Sequence, residues 1–130
     1  RTVALYLDEL RSIAADVKAS NAPAFGETPA RLNEAIDSLD RATQWLLAQK
    51  GSQDALAGAT PYLRLFGNTA GGCLLAEQAL AALRNGGDDA GRAALAHFFA
   101  DNIAVLAAGL ELSVTGGAGS VLQADAALGG

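Results

Sequence analysis

One stretch limits what this chain can fold into more than any other. Pro61 to Leu83, PYLRLFGNTAGGCLLAEQALAAL, has helix-forming chemistry throughout and is charged only at Arg64 and Glu77. A helix that is apolar or small on most of its sides belongs in the middle of a bundle, so the rest of the chain must cover it. Gly67, Ala70, Gly71 and Gly72 add a patch poor in side chains, which lets a neighbouring helix approach closely. Each glycine gives up roughly 1 kcal/mol of helix propensity relative to alanine, a loss that close packing has to offset. Alanine is abundant, glycine numbers 15 and aromatics make up only 5% of the chain. Strands are poorly served by that mixture, and the expected fold class is all-α.

The flanking segments supply the cover. From Thr2 to about Ser20, Val3, Leu7, Leu10, Ala14 and Val17 recur at steps of three and four and share one helical face. Asn21, Pro23 and Gly26 break that helix, since Pro23 lacks the amide a continuing helix needs. Thr28 as N-cap with Pro29 at the first helical position starts a second helix. Its face runs through Leu32, Ile36, Leu39, Thr43 and Leu46, widened by Trp45 and Leu47, and Gly51 is its expected stop. Ser52 or Asp54 caps a third helix that leads into the central stretch and is kinked or interrupted at Pro61 before ending near Arg84. Asp88 or Asp89 caps a fourth, with Leu95, Phe99, Ile103 or Asn102, Leu106, Leu110 and Val114 as its inward face and Gly116 and Gly117 as its stop. Short connections between four long helices predict an up-down-up-down four-helix bundle over residues 1–115. A poorly ordered Gly- and Ala-rich tail is expected over 116–130.

Charge narrows the partners. A net charge of −5 with nine scattered basic residues argues against nucleic acid and anionic membranes, which need clustered Lys and Arg. The run free of charge from Leu65 to Ala76 is shorter than the ~20 apolar residues of a bilayer span, so no membrane span is expected. Cys73, the only cysteine, excludes an internal disulfide and suits a reducing compartment. The chain has no Met and starts at Arg1, which suggests a piece of a longer polypeptide.

The chemistry-bearing residues were weighed in turn. His97 and Asp101 lie one helical turn apart, an arrangement commonly found as a surface pair. A di-iron bundle needs Glu-x-x-His on two helices, and here there is one histidine with Ala94 at the glutamate position. Glu34, Asp37 and Asp40 make an acidic face on the second helix, with Asp37 placed to pair with Arg41. Cys73 reads as a small buried hydrophobe. Arg64 must reach solvent or an acid on the first or second helix, unless it meets an acidic group on a neighbouring domain. Tyr62 and Phe66 beside it read as core first and docking surface second.

The run LAGATPYLRLFGNTAGGCLLAEQAL, Leu56 to Leu80, resembles the C-terminal helical domain of a subgroup of bacterial flavin-dependent acyl-CoA dehydrogenases, an acetyl-CoA dehydrogenase-like C-terminal domain. A PYLRLFG-like string followed by a Gly-Gly pair carries the resemblance, which extends more weakly from about Leu32 to Thr115; Cys73 stands where an aromatic is commoner. The resemblance implies a parent enzyme that removes the α and β hydrogens of an acyl-CoA thioester with FAD as acceptor, in the cytoplasm and in fatty acid metabolism. No position here matches its catalytic glutamate or its FAD and CoA contacts, so this chain is expected to be non-catalytic and to hold neither cofactor nor metal. Its implied partners are the catalytic domain of the same chain and a second subunit, with Tyr62, Arg64, Phe66, Gly67, Gly71 and Gly72 as candidate docking or packing residues. Two alternatives remain: an independent four-helix interaction module, and a carrier of apolar ligands with a cavity lined by Leu75, Phe98 or Phe99.

Overall fold

The structure, a computed structural model, describes residues 2–49, 53–87 and 90–129. Four helices account for nearly all of them: α1 (Val3–Ser20), α2 (Thr28–Ala48), α3 (Gln53–Arg84) and α4 (Ala90–Ala127). A 3-10 turn, Pro23–Phe25, links α1 to α2. Among the described residues there is no strand.

Local chemistry sets most boundaries. The Thr2 hydroxyl accepts from the Leu5 amide at 3.2 Å, satisfying one of the amides left open at the start of α1. Asn21 closes α1 in the left-handed conformation with φ 53°, and its amide donates to the Lys18 carbonyl. Thr28 is not the N-cap of α2. It is the first helical residue, fully buried, and its hydroxyl donates back to the Phe25 carbonyl, so it ties the helix to the preceding turn. α3 passes through Pro61 uninterrupted. The stop expected at Gly116 and Gly117 is absent: α4 continues to Ala127. Glycine weakens a helix without forbidding it, and no proline stands there to break this one. The expected stop and caps at Gly51, Ser52, Asp88 and Asp89 lie outside the described residues.

Cross-helix pairs fix the directions. Arg11 meets Asp37 while Val17 shares a groove with Pro29, so α1 and α2 are antiparallel. Thr43 meets Tyr62, and Leu32 lies beside Gly72, which makes α2 and α3 antiparallel as well. Gly58 against Val114 and Gly72 against Ile103 do the same for α3 and α4. The bundle is therefore up-down-up-down, with α1 beside α3 and α2 beside α4 as parallel neighbours. α2 and α3 each pack on the other three helices, whereas α1 and α4 pack chiefly on α2 and α3. The central position foreseen for α3 is thus shared with α2.

The core is built from large residues of the first three helices. Leu10, Val17, Phe25, Leu32, Ile36, Leu39 and Leu65 are fully buried, and each such burial is worth ~1.5–3 kcal/mol. α4 contributes differently. Its inward face is Ala93, Ala96, Ala100, Ile103, Ala107 and Val114, whereas Leu95, Phe99 and Leu106, expected inside, are exposed. The reason is steric. α2 and α3 already bring leucines and isoleucine to the centre, so α4 closes the bundle by presenting mostly alanine methyl groups. In consequence Gly91–Gly116 is long and apolar enough, by length and composition, to cross a membrane. Arg92, Asp101 and Glu111 interrupt it, so it is not a charge-free run.

Candidate functional site

The six candidate residues on α3 do not converge. Tyr62 and Phe66 are half-buried and belong to the packing. Thr43 donates to the Leu39 carbonyl at 2.7 Å and so accepts from the Tyr62 hydroxyl at 2.8 Å, which anchors α3 on α2. The Phe66 ring stacks on Tyr6 of α1, centroids 5.4 Å apart and planes within 7°, and tilts against Tyr62 at 6.2 Å. Arg64 is exposed. The three glycines differ: a methyl group at Gly72 would collide with Ile103 Cδ1, whereas one at Gly67 or Gly71 would meet nothing within 4 Å. Of these three, Gly72 alone serves close helix packing.

The polar constellations are structural as well. Arg11 reaches across from α1 to Asp37 at 2.8 Å and to Asp40 at 3.4 Å. Its pKa is raised, chiefly by the hydrogen bond to Asp37. Arg41 does not pair with Asp37 in the expected helical register. It forks onto Glu111 of α4 at 2.9 and 3.0 Å, and this hydrogen bond is the main reason the Glu111 carboxyl is held below its usual range. Glu34 pairs with Arg31 at 2.8 Å. Every carboxylate of the expected acidic face thus has a cation, and among the described residues no group of His, Cys, Asp and Glu is arranged to hold a metal ion. His97 sits 3.4 Å from Asp101 as foreseen, with its ring over Gly26. Gly26 has φ +52°, and a side chain there would strike that ring, so the turn and the histidine fit as a pair. Cys73 is fully buried, and desolvation first, then the charge of Glu77, pushes its thiol up to about 12. A thiol that stays protonated is no nucleophile.

One groove of ≈510 Å³ runs between α1 and α3 and does not suit a flavin dinucleotide, being lined by Tyr6, Leu10, Leu74 and the carboxylates Glu9, Asp16 and Glu77. A diphosphate needs cations or free amides, and this lining would repel it. Leu75 lines a smaller groove of ≈270 Å³ with Gln78, Ala79, Arg92 and Leu95, in which Phe98 and Phe99 take no part.

What stands out is a surface the sequence reading passed over. The outer side of α4 carries Phe98 at 67% exposure, Val105 at 78% and Leu112 at 70%, with Leu95, Phe99 and Leu106 beside them. A signal for it was present: α4 has large apolar residues along one side and a row of alanines along another, which is one apolar face more than a bundle helix needs. Monomers rarely leave so much apolar surface in water without a use for it.

The family model described as acetyl-CoA dehydrogenase C-terminal like matches residues 6–125, which takes in most of α1, all of α2 and α3 and nearly all of α4. No curated protein and no solved structure gives a match.

Proposed function

This chain belongs to the acetyl-CoA dehydrogenase C-terminal-like family, and from that premise we propose that it is a non-catalytic helical domain of an FAD-dependent acyl-CoA dehydrogenase. It packs on the catalytic body or on a second subunit and thereby fixes quaternary structure or shapes the substrate entrance. The match across residues 6–125 carries this reading.

Its physical support is the division of labour in the bundle. The ion pairs hold helices together, the cysteine is buried and protonated, and the acidic groove between α1 and α3 does not fit the cofactor. The α,β-dehydrogenation of an acyl-CoA thioester, in which a glutamate takes the α proton and the flavin accepts the β hydride, is assigned to the catalytic body. The reduced, buried Cys73 accords with the cytoplasm as the site of action. Arg64 and the outer side of α4 are available for contact with other protein.

The test is to purify the polypeptide that joins these residues to the catalytic fold. Yellow flavin absorbance that bleaches with an acyl-CoA, together with reduction of a dye acceptor, is the expected result. A colourless product with no acyl-CoA response refutes the reading and leaves an independent four-helix interaction module in its place.

A further inference from the structure

We propose that two copies of this chain associate through the outer face of α4, the two helices crossing antiparallel. The inference deepens the reading of the chain as a packing domain by naming a second copy as the partner and α4 as the surface.

The spacing of the exposed residues comes first. Leu95, Phe98, Asn102, Val105, Gly109 and Leu112 follow one another at steps of three, four, three, four and three. That alternation is the seam of a coiled coil. It lies on the side of α4 away from the buried Ala93, Ala96, Ala100 and Ala107, so packing within the bundle does not explain it.

The seam is also complementary to itself when reversed. A twofold interface must bring one patch against its own copy. Run antiparallel about the point between Ile103 and Ala104, Leu95 meets Leu112 of the second copy, Phe98 meets Gly109, and Asn102 meets Val105. The bulkiest side chain faces the residue without one. A methyl group at Gly109 would find nothing within 4 Å, so the space the Phe98 ring needs is open. Asn102 already donates its amide to the Phe98 carbonyl at 2.8 Å, which lowers the cost of covering it. A single polar residue in a seam also favours one register over others.

Area supports the same partner. If a large apolar side chain presents roughly 150–200 Å² when fully exposed, the seam with Phe99 and Leu106 leaves on the order of 600 Å² of apolar surface in water. That is the upper end for a monomer and most of the ~800 Å² per partner of a stable interface.

Sedimentation equilibrium of the 130-residue chain at concentrations on the order of 1–100 µM reads the association directly. The wild-type chain should be a monomer–dimer mixture. Gly109→Phe places ring against ring and should weaken association at least about tenfold. Phe98→Ala combined with Gly109→Phe restores a large residue opposite a small one and should recover most of the loss. Val105→Lys, at an exposed position, should give a monomer with unchanged circular dichroism. A wild-type chain that stays monomeric, one that floats with phosphatidylcholine vesicles instead of pairing, or a double variant no tighter than Gly109→Phe overturns the proposal. None of those results touches the flavin readout that tests the family function.

Discussion

Replacing Gly58 by alanine should destabilise the bundle, although the same exchange at Gly71 should stabilise it. Both substitutions bring the same gain, about 1 kcal/mol of helix propensity. At Gly71 the new methyl group meets nothing within 4 Å, so most of that gain is kept. At Gly58 it lands 2.8 Å from the Val114 carbonyl oxygen and 3.3 Å from Val114 Cγ1. A backbone oxygen cannot rotate aside, so α4 as a whole must move away from α3, at an overpacking cost of ~1–3 kcal/mol. The net expectation is a loss of about 1 kcal/mol at Gly58 and a gain of ~0.5–1 kcal/mol at Gly71. Gly72 should fall between them, because its obstacle is chiefly the mobile end of Ile103. Urea titrations followed by circular dichroism give the three values, and a spread of about 2 kcal/mol exceeds the extrapolation error. If Gly58→Ala stabilises as much as Gly71→Ala, the two helices do not cross at Val114 and the steric reasoning fails.

The interior and its salt bridges give further expected outcomes. Cys73 should resist alkylation at pH 8 until urea unfolds the chain; rapid labelling of the native protein would contradict its burial. Because the folded thiol holds its proton up to about 12 while the unfolded one releases it near 9.0, Cys73 should make stability fall with rising pH between those values, and Cys73→Ala should flatten that fall. Glu111→Gln removes the fork with Arg41, whose side chain is 60% exposed, so the loss should be only about 0.5–1 kcal/mol and shrink in high salt. The Glu111 contribution is present above the ordinary carboxylate range and fades as pH drops through it, so a variant that steepens acid unfolding would contradict the pairing. Thr69 is fully buried and its hydroxyl finds no partner; Thr69→Val should therefore be neutral or stabilise by ~1 kcal/mol in urea, and a loss of that size would refute the unmet hydroxyl.

The first two helices were legible because their large residues point inward. Leu7, Leu10, Ala14 and Val17, and then Leu32, Ile36, Leu39 and Thr43, stand where periodicity places them. The same logic fails on α4, where Leu95, Phe99 and Leu106 have the right spacing and the wrong side. Periodicity finds an apolar stripe but does not say which of two stripes goes inside; that depends on how much room the other helices leave. Arg41 is a similar case. Its helical neighbour Asp37 was the visible partner, but Arg11 takes that carboxylate and Glu111, seventy positions away, takes Arg41. The candidate site shared the limit: PYLRLFGNTAGG identified the family, but its residues mostly hold α3 to α1, α2 and α4, and the exposed face lies on another helix.

The order of the helices also governs how force or motion can pass through the molecule. Tyr6 on Phe66, Thr43 on Tyr62 and Arg41 on Glu111 all mark the same pole of the bundle. α1 starts at this pole, and α4 leaves it, continuing past its crossing with Gly58 for about 20 Å to Ala127. Anything joined at either end of this helical path therefore grips the bundle at one pole, and the turn around Gly26 lies at the other. A rigid bundle held at that pole alone would act as a lever, a small rotation at the attachment becoming a sweep of the far pole. A second contact along its length, such as one on α4, would stop that sweep and turn the lever into a strut.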